Sequence, residues 1–119
     1  FGLIHSDLHL GNLMVDGDDL TVIDFDDAGF GWFSHELACA LHPGIGEPWF
    51  AEAEAAIIEG YSSAHPISQD EIESISTFLA VRSLMIVGWL AARPELPVYT
   101  YFPLVMAGAE AAADALIKG

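Results

Sequence analysis

The chain has very few basic residues. Only three of its 119 residues are Lys or Arg, against 18 Asp and Glu, which gives a net charge of −15 at pH 7. Nucleic acids and anionic membranes are bound mainly through Lys and Arg, so the composition argues against both as partners. An acidic cleft would concentrate a cationic substrate, although an acidic surface is also a common source of solubility.

Cysteine is almost absent as well. Cys39 is the single cysteine, so no internal disulfide can form and nothing indicates an oxidising compartment. We therefore expect a cytoplasmic location. Between Ala38 and Ala40, Cys39 itself is predicted to be a small core residue.

Apolar residues, in contrast, are abundant. They make up 53% of the chain, and the mean hydropathy is +0.42. This is more apolar surface than a domain of this size easily buries, so we expect an apolar face through which a homodimer could form. The run 75–92 approaches the length of a membrane span. Because Arg82 lies near its middle, we predict a buried helix of a soluble protein and no membrane partner.

One segment carries the chemistry. Residues 5–12 read His-Ser-Asp-Leu-His-Leu-Gly-Asn, and the apolar run after them ends in Val-Ile-Asp-Phe at 22–25. Protein kinases have His-Arg-Asp, four residues, Asn, and then a metal-binding Asp-Phe-Gly. Here Asp7 and Asn12 keep the Asp-to-Asn interval, and Asp24 begins the sequence Asp-Phe-Asp. One amide and two carboxylates in this order suit phosphoryl transfer, in which Mg²⁺ is held and a hydroxyl is aimed at a phosphate.

Two departures separate the chain from the protein kinases, since Ser6 replaces the Arg and Asp26 replaces the Gly. The segment resembles the kinase-like small-molecule phosphotransferases, the aminoglycoside phosphotransferase, choline kinase and homoserine kinase group. Their signature is His-Gly-Asp, four residues, Asn, a short hairpin and Ile-Asp-Phe/Trp-Glu/Asp. The resemblance covers residues 3–38 and ends at Glu36-Leu37-Ala38, where the family usually has Asp-Leu-Ala. It implies an α+β, mostly α fold: the helical C-terminal lobe of the protein-kinase-like fold, with a short β-hairpin carrying the catalytic and metal loops.

Three residues have the central predicted roles. Asp7 is the predicted catalytic residue, which orients the acceptor hydroxyl and accepts its proton late in the reaction. Asn12 and Asp24 are the predicted ligands of Mg²⁺, because Mg²⁺ prefers oxygen and is usually held by one or two carboxylates plus substrate phosphates. The phosphoryl donor would be ATP or GTP, and the acceptor an alcohol group of a small molecule such as an aminoglycoside, choline or homoserine.

Four further residues are predicted to support this site. The resemblance implies that His5 braces the catalytic loop by hydrogen bonding. Asp26 and Asp27 contribute to the metal or substrate environment, or form a solvated acidic loop. Glu36 holds the helix after the metal loop in place and pairs with Arg82, because a buried Arg needs an acidic partner.

A nucleotide clamp is missing from the sequence. Kinase-like enzymes use a Gly-rich loop and a Lys that reaches the phosphates, but the only Lys is Lys118 and no such loop precedes Asp7. We therefore expect residues 1–119 to be a single catalytic and substrate-binding lobe, a fragment that lacks the N-terminal nucleotide-binding lobe and is inactive when isolated.

Secondary structure is predicted from local signals. Two short β runs flank an Asp-Gly turn at 16–19, which indicates a hairpin of 12–15 with 20–24. Residues 29–31 are expected to be an irregular connector, and Ser34 to cap the next helix. Ser68 and Glu71 form the pattern of a capping box that opens a long central helix. The predicted helices are 35–42, 48–62, 69–92 and 104–117, and prolines 97 and 103 bracket a predicted loop.

Two other functions remain open. In the first, His5, Asp7 and His9 are metal ligands of a hydrolase, although the remaining histidines are poorly spaced for a dinuclear centre. In the second, the lobe binds a ligand or partner without catalysis. His9 either faces the cleft or is a loop residue without chemistry. Five aromatics line a substrate pocket or, as is commoner, belong to the core: Trp32, Trp49, Trp89, Tyr99 and Tyr101.

Overall fold

The computed structural model describes residues 1–118. Four short strands and four helices follow one another along the chain. The strands are β1 (Gly2–Ile4), β2 (Leu13–Asp16), β3 (Asp19–Val22) and β4 (Gly29–Gly31), and the helices are α1 (Phe33–Leu41), α2 (Phe50–Ala64), α3 (Gln69–Ala91) and α4 (Phe102–Lys118). The prediction of an α+β fold that is mostly helical is confirmed.

The predicted β-hairpin is confirmed. Strands β2 and β3 pair antiparallel from Leu13 opposite Val22 to Asp16 opposite Asp19. Gly17 in the turn has a φ of 59°, a left-handed conformation that glycine adopts without strain. Beyond the strands, the N–H of Ile23 donates to the carbonyl of Asn12 at 3.0 Å. The hairpin therefore brings residue 12 beside the residue that precedes Asp24.

A second strand pair corrects the sequence prediction. Residues 29–31 were expected to be an irregular connector, but β4 pairs antiparallel with β1. A Cβ on Gly31 would lie 2.5 Å from the Ile4 side chain, so glycine allows this close approach. Three residues reading Gly-Phe-Gly carry no alternating pattern, and glycine is depleted in strands, so no strand is predicted here from the sequence. The pair fixes the start of the 5–12 loop against the segment that follows Asp24.

The first helix begins earlier than predicted. It starts at Phe33 with Trp32 as its N-cap residue, and no side chain caps it. The prediction that Ser34 is the cap was wrong: Ser34 lies in the first turn and is buried, and its hydroxyl donates to the carbonyl of Glu71 at 2.9 Å. A buried hydroxyl needs such a partner, and this one ties the start of α1 to the start of α3.

The other element bounds shift by a few residues. Helix α2 begins at Phe50, two residues after the predicted start, whereas α3 ends at Ala91, one residue before its predicted end. The predicted loop between prolines 97 and 103 is a 3₁₀ turn, Pro97–Tyr101. It leads directly into α4 at Phe102.

The capping box at the start of α3 is confirmed. The N–H of Glu71 donates to Ser68 Oγ at 3.3 Å, and the N–H of Ser68 donates to Glu71 Oε2 at 2.8 Å. The hydrogen bonds that the N–H and the hydroxyl of Ser68 donate to the Glu71 carboxylate lower the pKa of Glu71. Two otherwise unpaired N–H groups are satisfied in this way at the first turn.

Replacing Ser68 with Ala should therefore destabilise the protein by about 1 kcal/mol, the usual cost of losing an N-cap side chain. The free energy of unfolding of the full gene product that contains this chain would be measured by urea denaturation. Ser76→Ala is the matched control, because the Ser76 hydroxyl is exposed and donates only to the carbonyl of Glu73 within the helix. An equal loss in both variants would contradict the capping role.

Helix α3 is central, as predicted, and contacts both α1 and α4. The buried core joins Leu37, Ala38 and Leu41 of α1 to Ile75 of α3.

By length and composition alone α3 could cross a membrane: its most apolar 18-residue window has a mean hydropathy of 1.6, with 22% of those residues buried. The core helix of a soluble protein meets the same criterion. The helix is thus less buried than the sequence predicted.

The aromatic residues are mostly at the surface. Trp32 is 60% exposed and Tyr101 61% exposed, and Trp49 and Trp89 are each nearly half exposed. The interpretation of these four as core residues was wrong. Phe1 packs edge-on against Trp32, with ring centroids 5.3 Å apart, so part of this aromatic surface is clustered beside β1 and β4.

Candidate active site

The backbone of the 5–7 loop is held by Glu36. Its Oε1 accepts a hydrogen bond from the N–H of His5 at 2.7 Å, and its Oε2 accepts one from the N–H of Ser6 at 2.9 Å. The predicted pairing of Glu36 with Arg82 was wrong, because both carboxylate oxygens face this loop. Charged acceptors make the stronger hydrogen bonds, so the first turn of α1 fixes the loop that presents Asp7.

Two residues of the predicted site have a left-handed backbone. Ser6 has a φ of 69° and Asp24 a φ of 63°, and they are the non-glycine residues with positive φ within the described range 1–118. This conformation costs an L-residue energy and tends to persist at functional sites. One strained position directly precedes the predicted catalytic residue Asp7, and the other is the predicted metal ligand Asp24 itself.

Ser6→Gly should stabilise the fold by about 0.5 kcal/mol, because relief of left-handed strain outweighs the extra freedom of glycine in the unfolded chain. The shift in the urea midpoint of the full gene product would show it. Ser76→Gly is the matched control with the opposite expected sign, since Ser76 is exposed in the interior of α3 and glycine destabilises a helix interior. A loss of stability in Ser6→Gly would show that the strain argument is wrong.

His5 uses both of its ring nitrogens. Its Nε2 lies 2.8 Å from the carbonyl oxygen of Ile23, and its Nδ1 lies 3.3 Å from the N–H of Asp7. Since a carbonyl only accepts, Nε2 carries the proton and Nδ1 accepts from Asp7. The ring also lies 4.8 Å from that of Phe25. His5 therefore links the catalytic loop to the end of the hairpin, and it has no free nitrogen for a metal.

Asp7 and Asn12 lie in direct contact. The amide nitrogen of Asn12 donates to the carbonyl oxygen of Asp7 at 2.9 Å and lies 3.3 Å from its Oδ2. Because a backbone carbonyl only accepts, this contact fixes the orientation of the amide: nitrogen towards Asp7 and oxygen away from it. Asn12 is buried, so the side chain is held in place. Its oxygen is the ligand type that Mg²⁺ prefers.

The three remaining predicted carboxylates lie on the segment after β3. Asp24, Asp26 and Asp27 are all exposed. The backbone of Asp24 is one residue beyond the Ile23–Asn12 hydrogen bond, so it is adjacent to Asn12, and Asp27 lines the same cavity as Asp7. Asp24 and Asp26 line neither this cavity nor the smaller one beside His5.

These positions allow a chemical test of the predicted metal site. One amide oxygen and one carboxylate suit an ion that keeps waters and phosphate oxygens as its other ligands, as Mg²⁺ does. Residues 1–118 contain no cluster of three or more His, Cys, Asp or Glu side chains arranged to hold a metal. The donor set fits a nucleotide-bound Mg²⁺ and does not provide the metal centre that the hydrolase alternative needs.

Asp7 has two further partners that the sequence did not predict. Arg82 donates from Nη2 to Asp7 Oδ1, and its side chain is only 14% exposed. His9 Nε2 lies 3.4 Å from Asp7 Oδ2, and His9 Nδ1 accepts from the N–H of Gly11 at 3.0 Å. His9 thus faces the site. The need of a buried Arg for an acidic partner correctly predicted that Arg82 pairs with a carboxylate. It did not indicate which carboxylate.

A cavity of about 630 Å³ opens beside Asp7. Its walls combine ionic groups with an apolar side from α3, and the lining residues are Ser6, Asp7, His9, Asp27, Cys39, His42, Pro43, Arg82, Met85, Ile86 and Trp89. Trp89 is the only one of the five predicted aromatics in this lining. Cys39 is fully buried, and burial raises the pKa of its thiol to about 11, as is typical of a structural cysteine.

A carboxylate on a braced loop, an amide locked beside it and a second carboxylate after a hairpin follow the order of the catalytic and metal-binding residues in kinase-like enzymes. The comparison with known families agrees: residues 1–71 match the phosphotransferase enzyme family, APH, and the chain belongs to it. No solved structure matches the chain significantly.

Two curated relatives are similar. Over 99 residues the chain is 29% identical to amicoumacin kinase of Bacillus subtilis (strain 168). This alignment covers 76% of the chain and 30% of that kinase. Over 80 residues it is 36% identical to homoserine kinase of Methylocella silvestris. This alignment covers 64% of the chain and 25% of that kinase. The chain therefore spans less than a third of the length of either relative.

Proposed function

We propose that the chain is the catalytic and substrate-binding lobe of a kinase that moves the γ-phosphate of a nucleotide to a hydroxyl of a small molecule. The observation that carries this proposal is the Asp7 carboxylate, which lines a cavity while the amide of Asn12 is locked against it. Membership of the phosphotransferase family and the two kinase relatives support it.

Asp7 acts on the acceptor. A hydroxyl is a weak nucleophile at neutral pH, so a carboxylate within hydrogen-bond reach orients it and accepts its proton as the P–O bond forms. The charge-assisted hydrogen bond from Arg82 holds one carboxylate oxygen, and the amide of Asn12 lies near the other. The carboxylate is thus kept in one orientation toward the cavity, which is what positioning of an acceptor requires.

Asn12 and Asp24 would hold Mg²⁺ together with the nucleotide phosphates. When bound, the ion neutralises the charge that develops on the transferred phosphoryl group. A protein set of one amide and one carboxylate binds Mg²⁺ weakly without nucleotide, because most ligands then come from water. The clamp on the nucleotide, either ATP or GTP, is supplied by a second lobe outside residues 1–119. We also propose a cytoplasmic protein with no nucleic-acid or membrane partner.

The proposed acceptor is a small alcohol, and a phosphate-transfer assay with a panel of such compounds would identify it. Homoserine and amicoumacin are the first candidates, because the two relatives are named as kinases of these compounds, and an aminoglycoside and choline complete the panel. The full gene product would be incubated with Mg²⁺ and radiolabelled ATP or GTP, and transfer of label to each compound measured. Transfer to at least one of them is expected. Labelling of none, with stoichiometric Zn or Fe in the dialysed protein, would support the hydrolase instead.

A further inference from the structure

We propose that His42 is a specificity-determining residue that accepts a hydrogen bond from the phosphoryl acceptor through its Nδ1 atom. The inference rests on the proposed function and names a second contact in the same cavity. It implies an acceptor with two hydrogen-bond donors: the hydroxyl that meets Asp7, and a further hydroxyl or amine that meets His42. Diols and amino alcohols are compounds of this kind.

The tautomer of His42 is fixed by a chain of hydrogen bonds. The hydroxyl of Ser83 donates to the carbonyl oxygen of Leu79 at 3.0 Å. Its single hydrogen is therefore used, and the contact of 2.9 Å between Ser83 Oγ and His42 Nε2 must run from the ring N–H to the hydroxyl oxygen. His42 thus carries its proton on Nε2, and Nδ1 presents a lone pair.

The Nδ1 atom of His42 is not fully buried and has no partner within the part of the chain that the structure describes. Among residues 1–118, every side-chain nitrogen or oxygen that is fully buried has a hydrogen-bond partner, whereas Nδ1 of His42 has none there. It is therefore not fully buried, and His42 is one of the residues that line the cavity beside Asp7. His42, with its unpaired acceptor nitrogen, and the carboxylate residue Asp7 thus line the same cavity.

The surroundings favour the neutral form of the ring. Burial lowers the pKa of His42, and the charge of Arg82 lowers it further. A neutral imidazole at pH 7 can accept a hydrogen bond, whereas an imidazolium cannot. Arg82 itself lies in the same cavity wall but is engaged with Asp7. This arrangement leaves His42 as a neutral acceptor that selects a donor group on the substrate.

The test uses His42→Phe and His42→Asn in the full gene product, assayed with the best acceptor of the panel above. His42→Phe should raise KM for the acceptor about tenfold, the effect of one lost hydrogen bond, with kcat changed less than about threefold. His42→Asn keeps an amide oxygen near the position of Nδ1 and should recover part of the loss.

Ser83 provides the positioning test. Ser83→Ala frees the ring N–H and should raise the acceptor KM by about threefold, less than the loss of the ring itself. The matched control is Ser34→Ala, which removes a buried hydroxyl that also donates to a backbone carbonyl but lies outside the cavity lining; its KM should stay unchanged. Long-range ¹H–¹⁵N spectra should show His42 as the Nε2–H tautomer in the wild type and as a mixture in Ser83→Ala.

The outcomes of these experiments distinguish failure of the His42 role from failure of the proposed function. If the wild type phosphorylates an acceptor but His42→Phe leaves KM within twofold, the role of His42 is wrong and the proposed function stands. The inference is equally overturned if the spectra show the proton on Nδ1. If the wild type phosphorylates no acceptor of the panel, the proposed function fails and the role of His42 fails with it.

Discussion

Asp7→Asn is expected to reduce kcat for the acceptor by about 10²–10⁴-fold, the usual contribution of a positioned general base. The substituted amide fills the same space but cannot accept the proton of the hydroxyl. KM for the nucleotide should change little, because Asp7 lies on the acceptor side of the proposed site. The measurement is steady-state transfer of the γ-phosphate by the full gene product, with the best acceptor from the panel.

Asp19→Asn is the matched control for this prediction. Asp19 is an exposed aspartate at the turn of the hairpin, so the same chemical change there removes one negative charge without touching the cavity. Its turnover should equal that of the wild type. Equal turnover in Asp7→Asn and Asp19→Asn would remove Asp7 from the catalytic site.

Asp24→Asn is expected to raise the Mg²⁺ concentration needed for half-maximal activity at least tenfold. Turnover at fixed Mg²⁺ should fall on the order of 100-fold, because a metal contributes several kcal/mol of charge stabilisation in the transition state. The loss should be partly recovered at high Mg²⁺, since Asn still offers an oxygen ligand. A titration of activity against Mg²⁺ at saturating nucleotide provides both numbers.

Asp18→Asn is the control here, as Asp18 is an exposed aspartate within the hairpin turn. An Mg²⁺ requirement that is unchanged in Asp24→Asn would show that the ion is held elsewhere. An unchanged requirement combined with a large loss of turnover would instead place Asp24 on the substrate and not on the metal.

Elements with local signals were predictable from the sequence. The hairpin follows from the Asp-Gly pair at Gly17 between two β-type runs, and the start of α3 follows from Ser68 and Glu71 three residues apart. Both signals depend on residues that contact each other within a few positions. Strand β4 gave no such signal, because its partner β1 lies more than twenty residues away and two of its three residues are glycine.

In the site, too, contacts between residues close in sequence were predictable and contacts between distant residues were not. The interval between Asp7 and Asn12 correctly indicated two neighbouring side chains. The partner of Arg82 was not predictable, because Asp7 lies 75 residues away in the sequence and Glu36 is an equally plausible acid. Only the packing of α3 against α1 decides which carboxylate the guanidinium meets.

His42 illustrates a second kind of limit. In the sequence it is the last residue before a proline at the end of a helix, and nothing distinguishes it from any helix-end histidine. Its tautomer and its place in the cavity depend on Ser83, which a separate helix supplies.

The strained φ of Ser6 was partly foreseeable, since the resembling family has glycine there.

The most direct test of the central claim is a crystal structure of the full gene product with Mg²⁺ and a non-hydrolysable ATP analogue. We predict an Mg²⁺ ion at about 2.1 Å from Asn12 Oδ1 and from a carboxylate oxygen of Asp24, with water and phosphate oxygens as its other ligands. Asp7 should face the open cavity without ligating the ion. An ion bound by His5, Asp7 and His9, or a nucleotide bound away from Asn12 and Asp24, would contradict the account.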